Sequence, residues 1–145
     1  MDALIRLAAV VVVLAASAMA YLWWSRRQGR VQHVHVPGAL TPDDLGAPRG
    51  LRATFVQFST PICAKCPPTR ALLLRVAQEY THVSHIEIDA SERLDLARRL
   101  DIMRTPTTLV LDANGVVVSR MNGAPSEAQV REALDELPPP GEYSI

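Results

Sequence analysis

Residues 53–69 read ATFVQFSTPICAKCPPT. An apolar, β-branched run ends in a small polar turn, two cysteines follow with two residues between them, and a helical pattern begins just beyond. Cys63 and Cys66 are the only two cysteines in the chain. A C-x-x-C pair at the strand-to-helix junction of an α/β pattern reads as a redox dithiol, whereas a structural zinc site takes its ligands from two such knuckles. His33 and His35 could complete a zinc set, but they form no second knuckle of that kind, so no metal is expected. The spacing also excludes a long-range structural disulfide.

A cysteine at a helix N-terminus faces unsatisfied backbone N–H groups and the positive end of the macrodipole, and both favour thiolate over thiol. That position falls to Cys63, which is therefore the expected nucleophile. One turn on, Cys66 lies behind it, within reach of a mixed disulfide formed at Cys63, and is the expected resolving thiol. Lys65 reads two ways: as a cation that lowers the thiol pKa further, or as a solvated residue at the helix start.

With 145 residues, 48% of them apolar, the chain suits one domain of ordinary size plus an accessory segment. The 15 basic and 15 acidic residues balance, which argues against a nucleic-acid partner, since that would want a basic surface. Leu7–Trp24 is an uncharged run of 18 residues, closed by Ser25-Arg26-Arg27-Gln28-Gly29-Arg30. That is just long enough to cross a bilayer, and Tyr21, Trp23 and Trp24 make an interfacial aromatic edge. A single-pass anchor is expected over residues 3–25. The competing reading is a cleaved signal peptide, because Ala18-Met19-Ala20 resembles an A-x-A site; the apolar run, however, continues past it into a stop-transfer flank. Arg26, Arg27 and Arg30 outweigh Arg6 and the N-terminal amine, so the charge bias leans toward a cytosolic domain in the cell membrane.

Residues 26–50 read as a linker and lead-in element. Val31, Val34 and Val36 alternate with His33 and His35 as in a short extended segment, and Thr41-Pro42-Asp43-Asp44 is a capped helix start that Gly46 and Pro48 end. The pattern then predicts a strand over Leu51–Phe58, a helix over Ala64–Tyr80, a strand over Val83–Asp89 and a helix over Ser91–Leu100 with Ser91 as cap. Strands over Thr107–Leu111 and Val116–Arg120 follow, joined by the hairpin turn Asp112-Ala113-Asn114-Gly115. A last helix runs from the Ser126 cap to Leu137, and a Pro-rich tail occupies 138–145. The fold class is α/β, with a mixed central sheet covered by helices on both faces.

The order FVQFSTPICAKC, IEID, Met103-Arg104-Thr105-Pro106-Thr107, LVLDANG and Asn122-Gly123-Ala124 resembles the thioredoxin family across residues 51–137. The resemblance implies a thioredoxin fold and a thiol-disulfide oxidoreductase that uses Cys63 and Cys66, without a cofactor. Its substrates would be protein thiols or disulfides, and a separate electron donor or acceptor would serve it. It also implies a cis bond at Thr105-Pro106, a substrate groove lined by Ile62, Thr105 and Pro106, and close approach of a substrate chain at Gly123. The departures are Ile62 where the family usually has Trp, Ala64-Lys65 in place of Gly-Pro, and Gln57 and His85 where a buried carboxylate and its lysine are common. Gln57 cannot take a proton, so if Cys66 needs a base, His85 in a relay with Gln57 or a water is what remains, beside the plainer reading of His85 as a neutral buried histidine. A second function, a thioredoxin-fold binding or scaffold module with an incidental dithiol, also fits; two cysteines kept beside a Thr-Pro loop favour the oxidoreductase.

Overall fold

The computed structural model describes residues 2–34, 36 and 38–137; the Pro-rich tail and His35 lie outside the described residues. All seven residues of β2, Ala53–Ser59, are buried. A strand covered on both faces needs a continuous run of that kind rather than alternation. β2 accordingly lies inside the sheet, parallel to β3 (Val83–Asp89) and antiparallel to β4 (Thr107–Asp112). Beyond β4 come β5 (Val117–Asn122) and the edge strand β1 (Val31–His33), giving the order β1-β5-β4-β2-β3.

Alternation along β2 sorts its side chains between two cores. Val56 and Phe58 join Ile86, Ile88, Leu109 and Leu111 on one face. That face is covered by Leu40 and Leu45, from the short helix α2 (Pro42–Leu45) and its approach, and by Leu96 and Leu100 from α4 (Leu94–Arg99) and its end. Phe55, Val110 and Met121 point the other way, onto Leu73 and Val76 of α3 (Cys66–Glu79) and Val130 and Leu134 of α5 (Glu127–Asp135). Residues 31–45 thus contribute an edge strand and core leucines to the domain that follows them.

Thr41 and Ser126 both cap their helices through full capping boxes, with Asp44 and Gln129 returning the bond. Two helix starts differ from expectation. Ser91 does not cap α4, because the Asp89 carboxylate captures both its N–H, at 2.8 Å, and its hydroxyl. The helix begins three residues later, after Arg93. α3 begins at Cys66 rather than Ala64, which leaves Cys63 in the turn before it.

The N-terminal segment is helix α1 (Asp2–Arg27), whose stretch Ala3–Arg27 is long and apolar enough to cross a membrane, with a mean hydropathy of 2.3. Its 26 residues span about 39 Å against a hydrocarbon core of about 30 Å. Three residues, Gln28 to Arg30, separate it from β1.

Candidate active site

The site forms where β2 ends and α3 begins, at the edge where β2 and β4 carry their loops. Cys63 N–H donates to the Thr60 carbonyl at 3.1 Å and Cys66 N–H to the Cys63 carbonyl at 3.2 Å, so a tight turn holds the two cysteines. Their sulfurs are joined at 2.14 Å, with the Cα atoms 5.4 Å apart. The two residues are not equivalent. Cys66 is only 3% exposed, whereas Cys63 is half-buried at the mouth of a cleft of about 440 Å³.

The helix start offers fewer backbone donors than the sequence suggested. In the first turn of α3 the Cys66 and Thr69 amides are already bonded, to the Cys63 and Lys65 carbonyls, and Pro67 and Pro68 have none to give. The macrodipole of the 14-residue helix remains as an attraction for a thiolate at Cys63. The ammonium of Lys65 meets Gln28 Oε1 at 3.1 Å.

Beneath Cys66 lies Gln57, with no solvent exposure. Its Nε2 donates to the Cys66 carbonyl at 3.0 Å, and its Oε1 is 3.1 Å from His85 Nε2. A carbonyl can only accept, so the amide is oriented with its NH₂ toward Cys66 and its oxygen toward the imidazole. His85 must therefore carry its proton on Nε2 in this contact, and the neutral ring keeps Nδ1 as its acceptor. Burial pushes the His85 pKa below its usual value; Glu87 opposes that shift, and the Arg70 guanidinium adds to it.

Glu87 sits two residues beyond His85 on the same face of β3. It accepts from Ser59 Oγ at 2.7 Å and forms an ion pair with Arg70. Ser59, Arg70 and Glu87 line the cleft together with both cysteines, Asp89 and Glu92. The Thr105-Pro106 loop, whose peptide bond is cis, reaches the cysteine turn through Thr60. Thr105 Oγ1 lies 3.3 Å from Thr60 Oγ1, and Gly123 N–H donates to the Pro106 carbonyl at 2.8 Å. Ile62 stands at the rim, 95% exposed, near the turn that holds the cysteines. Among the described residues, no cluster of three or more His, Cys, Asp or Glu side chains is arranged to hold a metal.

The expected site residues therefore fall into two linked groups, Cys66–Gln57–His85 and Thr105–Pro106–Gly123, which meet at the Cys63 turn, while Ile62 projects alone. Sequence reasoning missed Ser59, Arg70 and Glu87. Strand alternation in HIEID places Glu87 on the His85 face, and Arg70 follows Cys66 by four residues on a helix, so a signal for both was present. No local pattern marks Gln28, which reaches the site only because β1 pairs with β5.

Comparison with known proteins agrees with this geometry. A family profile described as thioredoxin matches residues 50–136. NADPH-dependent thioredoxin reductase 3 of Arabidopsis thaliana is 28% identical over 85 residues, which make up 58% of this chain and 16% of that protein. The chain thus spans about a sixth of the length of that relative. Oxidised mitochondrial thioredoxin 3 of Saccharomyces cerevisiae superposes with a TM-score of 0.53 at 20% identity, covering 59% of this chain and 79% of the other. The thioredoxin of Fasciola hepatica gives 0.53 at 21% identity, covering 61% and 84%.

Proposed function

From the premise that this chain belongs to the thioredoxin family, we propose that it is a membrane-tethered thiol-disulfide oxidoreductase acting on protein disulfides, with Cys63 as nucleophile and Cys66 as resolving thiol. The observation that carries this reading is the unequal exposure of the two cysteines: Cys66 is 3% exposed and Cys63 opens onto the cleft. In the reducing direction the Cys63 thiolate attacks one sulfur of a substrate disulfide, forming a mixed disulfide and releasing the other sulfur as a thiolate that takes a proton. Cys66 then loses its proton and attacks Cys63 Sγ, which expels the second substrate thiol. Two electrons have passed to the substrate, and the pair is left as the Cys63–Cys66 disulfide. A separate thiol-based donor resets it, and the reverse sequence oxidises a dithiol.

Gln57 holds the backbone of Cys66 and orients neutral His85, whose Nδ1 is the acceptor available to the Cys66 proton by way of water. Thr105, Pro106 and the exposed Ile62 form the surface that receives the substrate. The length and hydropathy of α1 support tethering, as does Trp23, with the Arg27 guanidinium over its ring at 3.5 Å. In this reading residues 3–25 are the anchor and 51–137 the catalytic domain, and the arginine excess after the helix favours the cytosolic side.

Trapping tests the assignment. Cys66→Ser in the full chain should accumulate mixed disulfides that a reductant releases, and Cys63→Ser should accumulate none. Equal trapping by both variants would refute this division of roles. Retention of the full chain in membranes through alkaline carbonate checks the anchor; a soluble form beginning near Tyr21 would contradict it.

A further inference from the structure

The open side of Gly123 is already taken by the chain itself. A Cβ at Gly123 would meet Gln28 Cβ at 3.4 Å and Gln28 Oε1 at 3.6 Å, which is ordinary packing distance. The segment that brings Gln28 there has little freedom to retreat. Gly29 N–H donates to the Asn122 carbonyl at 2.8 Å, and Gly29 is packed so closely that a side chain there would lie 2.5 Å from Pro125 Cα and 2.7 Å from the Ala124 carbonyl oxygen. At its far end Gln28 Oε1 accepts from Lys65 Nζ at 3.1 Å, and Lys65 lies between the two cysteines in sequence. Gln28 therefore forms a strap from Gly123 to the C-x-x-C turn. On the other side of Cys63 the cleft bounded by Ser59, Arg70, Glu87 and Glu92 is open.

Resting on the substrate surface of the proposed oxidoreductase, we propose that Gln28 determines substrate choice: it closes the Gly123 side of the groove to an extended polypeptide, so that Cys63 accepts sulfur carried on small molecules, chain ends or tight turns entering over the Ser59–Arg70 cleft. An extended substrate strand crossing Gly123 would need the volume that Gln28 fills, and displacing it also breaks the contact with Lys65. A small disulfide needs neither.

The test measures access to Cys63 without relying on turnover. The full-length protein in detergent micelles is reduced, and the alkylation rate of Cys63 is measured with iodoacetamide and with an eleven-residue peptide carrying an iodoacetyl group at its centre. Gln28→Ala removes the amide and the lysine contact; Gln28→Gly also removes Cβ. The ratio of the peptide rate to the iodoacetamide rate should rise about fivefold in the alanine variant and further in the glycine variant, with the iodoacetamide rate itself within about twofold of wild type. An unchanged ratio in Gln28→Ala overturns the proposal, and that variant decides the matter even if Gln28→Gly does not fold. Turnover of insulin disulfides and of hydroxyethyl disulfide is followed in parallel. If the wild-type protein reduces neither, the oxidoreductase reading fails, while the alkylation ratio still decides the role of Gln28.

Discussion

Gln57 Nε2 donates to the carbonyl of Cys66 at 3.0 Å from a site with no solvent access, so a neutral amide occupies the ground beneath the shielded sulfur. The same amide accepts from His85, and removing it strands two groups at once. Gln57→Leu should lower stability by about 1–3 kcal/mol, the usual cost of leaving buried polar groups unpaired. Urea unfolding of the oxidised protein checks this. A midpoint equal to wild type would mean that water replaces both bonds.

His85 should make stability depend on pH below neutrality. Its folded pKa is depressed beneath 6.5, chiefly by burial. Above 6.5 both states are neutral and the contribution is intact; as pH falls toward the lower folded value, the unfolded chain takes up the proton first and the native state loses ground. Urea midpoints at pH 7.5 and 5.5 should differ more in wild type than in His85→Gln, which keeps a donor for Gln57 Oε1. Equal slopes in the two proteins would contradict a depressed pKa at His85.

Pro67 leaves the second residue of α3 without an N–H. Pro67→Ala supplies that donor beside the cysteine turn, in the part of the helix where the dipole is strongest. Thiolate at Cys63 should become more abundant, and iodoacetamide alkylation at pH 6 should run about two- to threefold faster, in line with a helix-terminus effect of about 0.3–1 kcal/mol. Mass spectrometry of the labelled residue gives the rate for each cysteine separately.

Asp44 joins α2 to α4. It closes the capping box with Thr41 and pairs with Arg99 at 2.8 Å, and those contacts, the Thr41 backbone bond foremost, hold its pKa down to about 2 from 3.8. The depressed value means that its contribution is full above 3.8 and is lost as pH falls through about 2. Asp44→Asn should cost about 1 kcal/mol at pH 7, the scale of a helix cap, because solvent screens the ion pair. The difference from wild type should shrink at pH 3, as measured by thermal melts at both values.

Strand period, helix caps and hairpin chemistry made most of this fold legible from residues 51–137. β2 announces itself as a continuous apolar run and β3 by the alternation of Ile86 and Ile88 with polar residues, and Thr41 and Ser126 cap as their spacing requires. The C-x-x-C pair and the Thr105-Pro106 loop could be read because they stand in a fixed order along the chain. Failures came where one local partner outcompeted another. Ser91 looks like a cap, but Asp89 two residues earlier binds it more closely. The cysteine turn seemed rich in free amides, yet the prolines that mark the helix start are the residues that lack them. β1 was legible as a short extended segment, but three residues carry too little pattern to show its pairing with β5, and with that went the position of Gln28, which depends on a partner some 90 residues away in sequence.

The junction between α1 and β1 has mechanical significance of its own. Three residues cover at most about 10 Å, and Gly29 at their centre is clamped to Asn122. With α1 seated in a bilayer, as proposed, the catalytic domain is a fixed turret rather than a ball on a chain, and Cys63 stays at a nearly constant height above the lipid. Its reach toward sulfur centres held in the same membrane is then set by lateral diffusion in two dimensions.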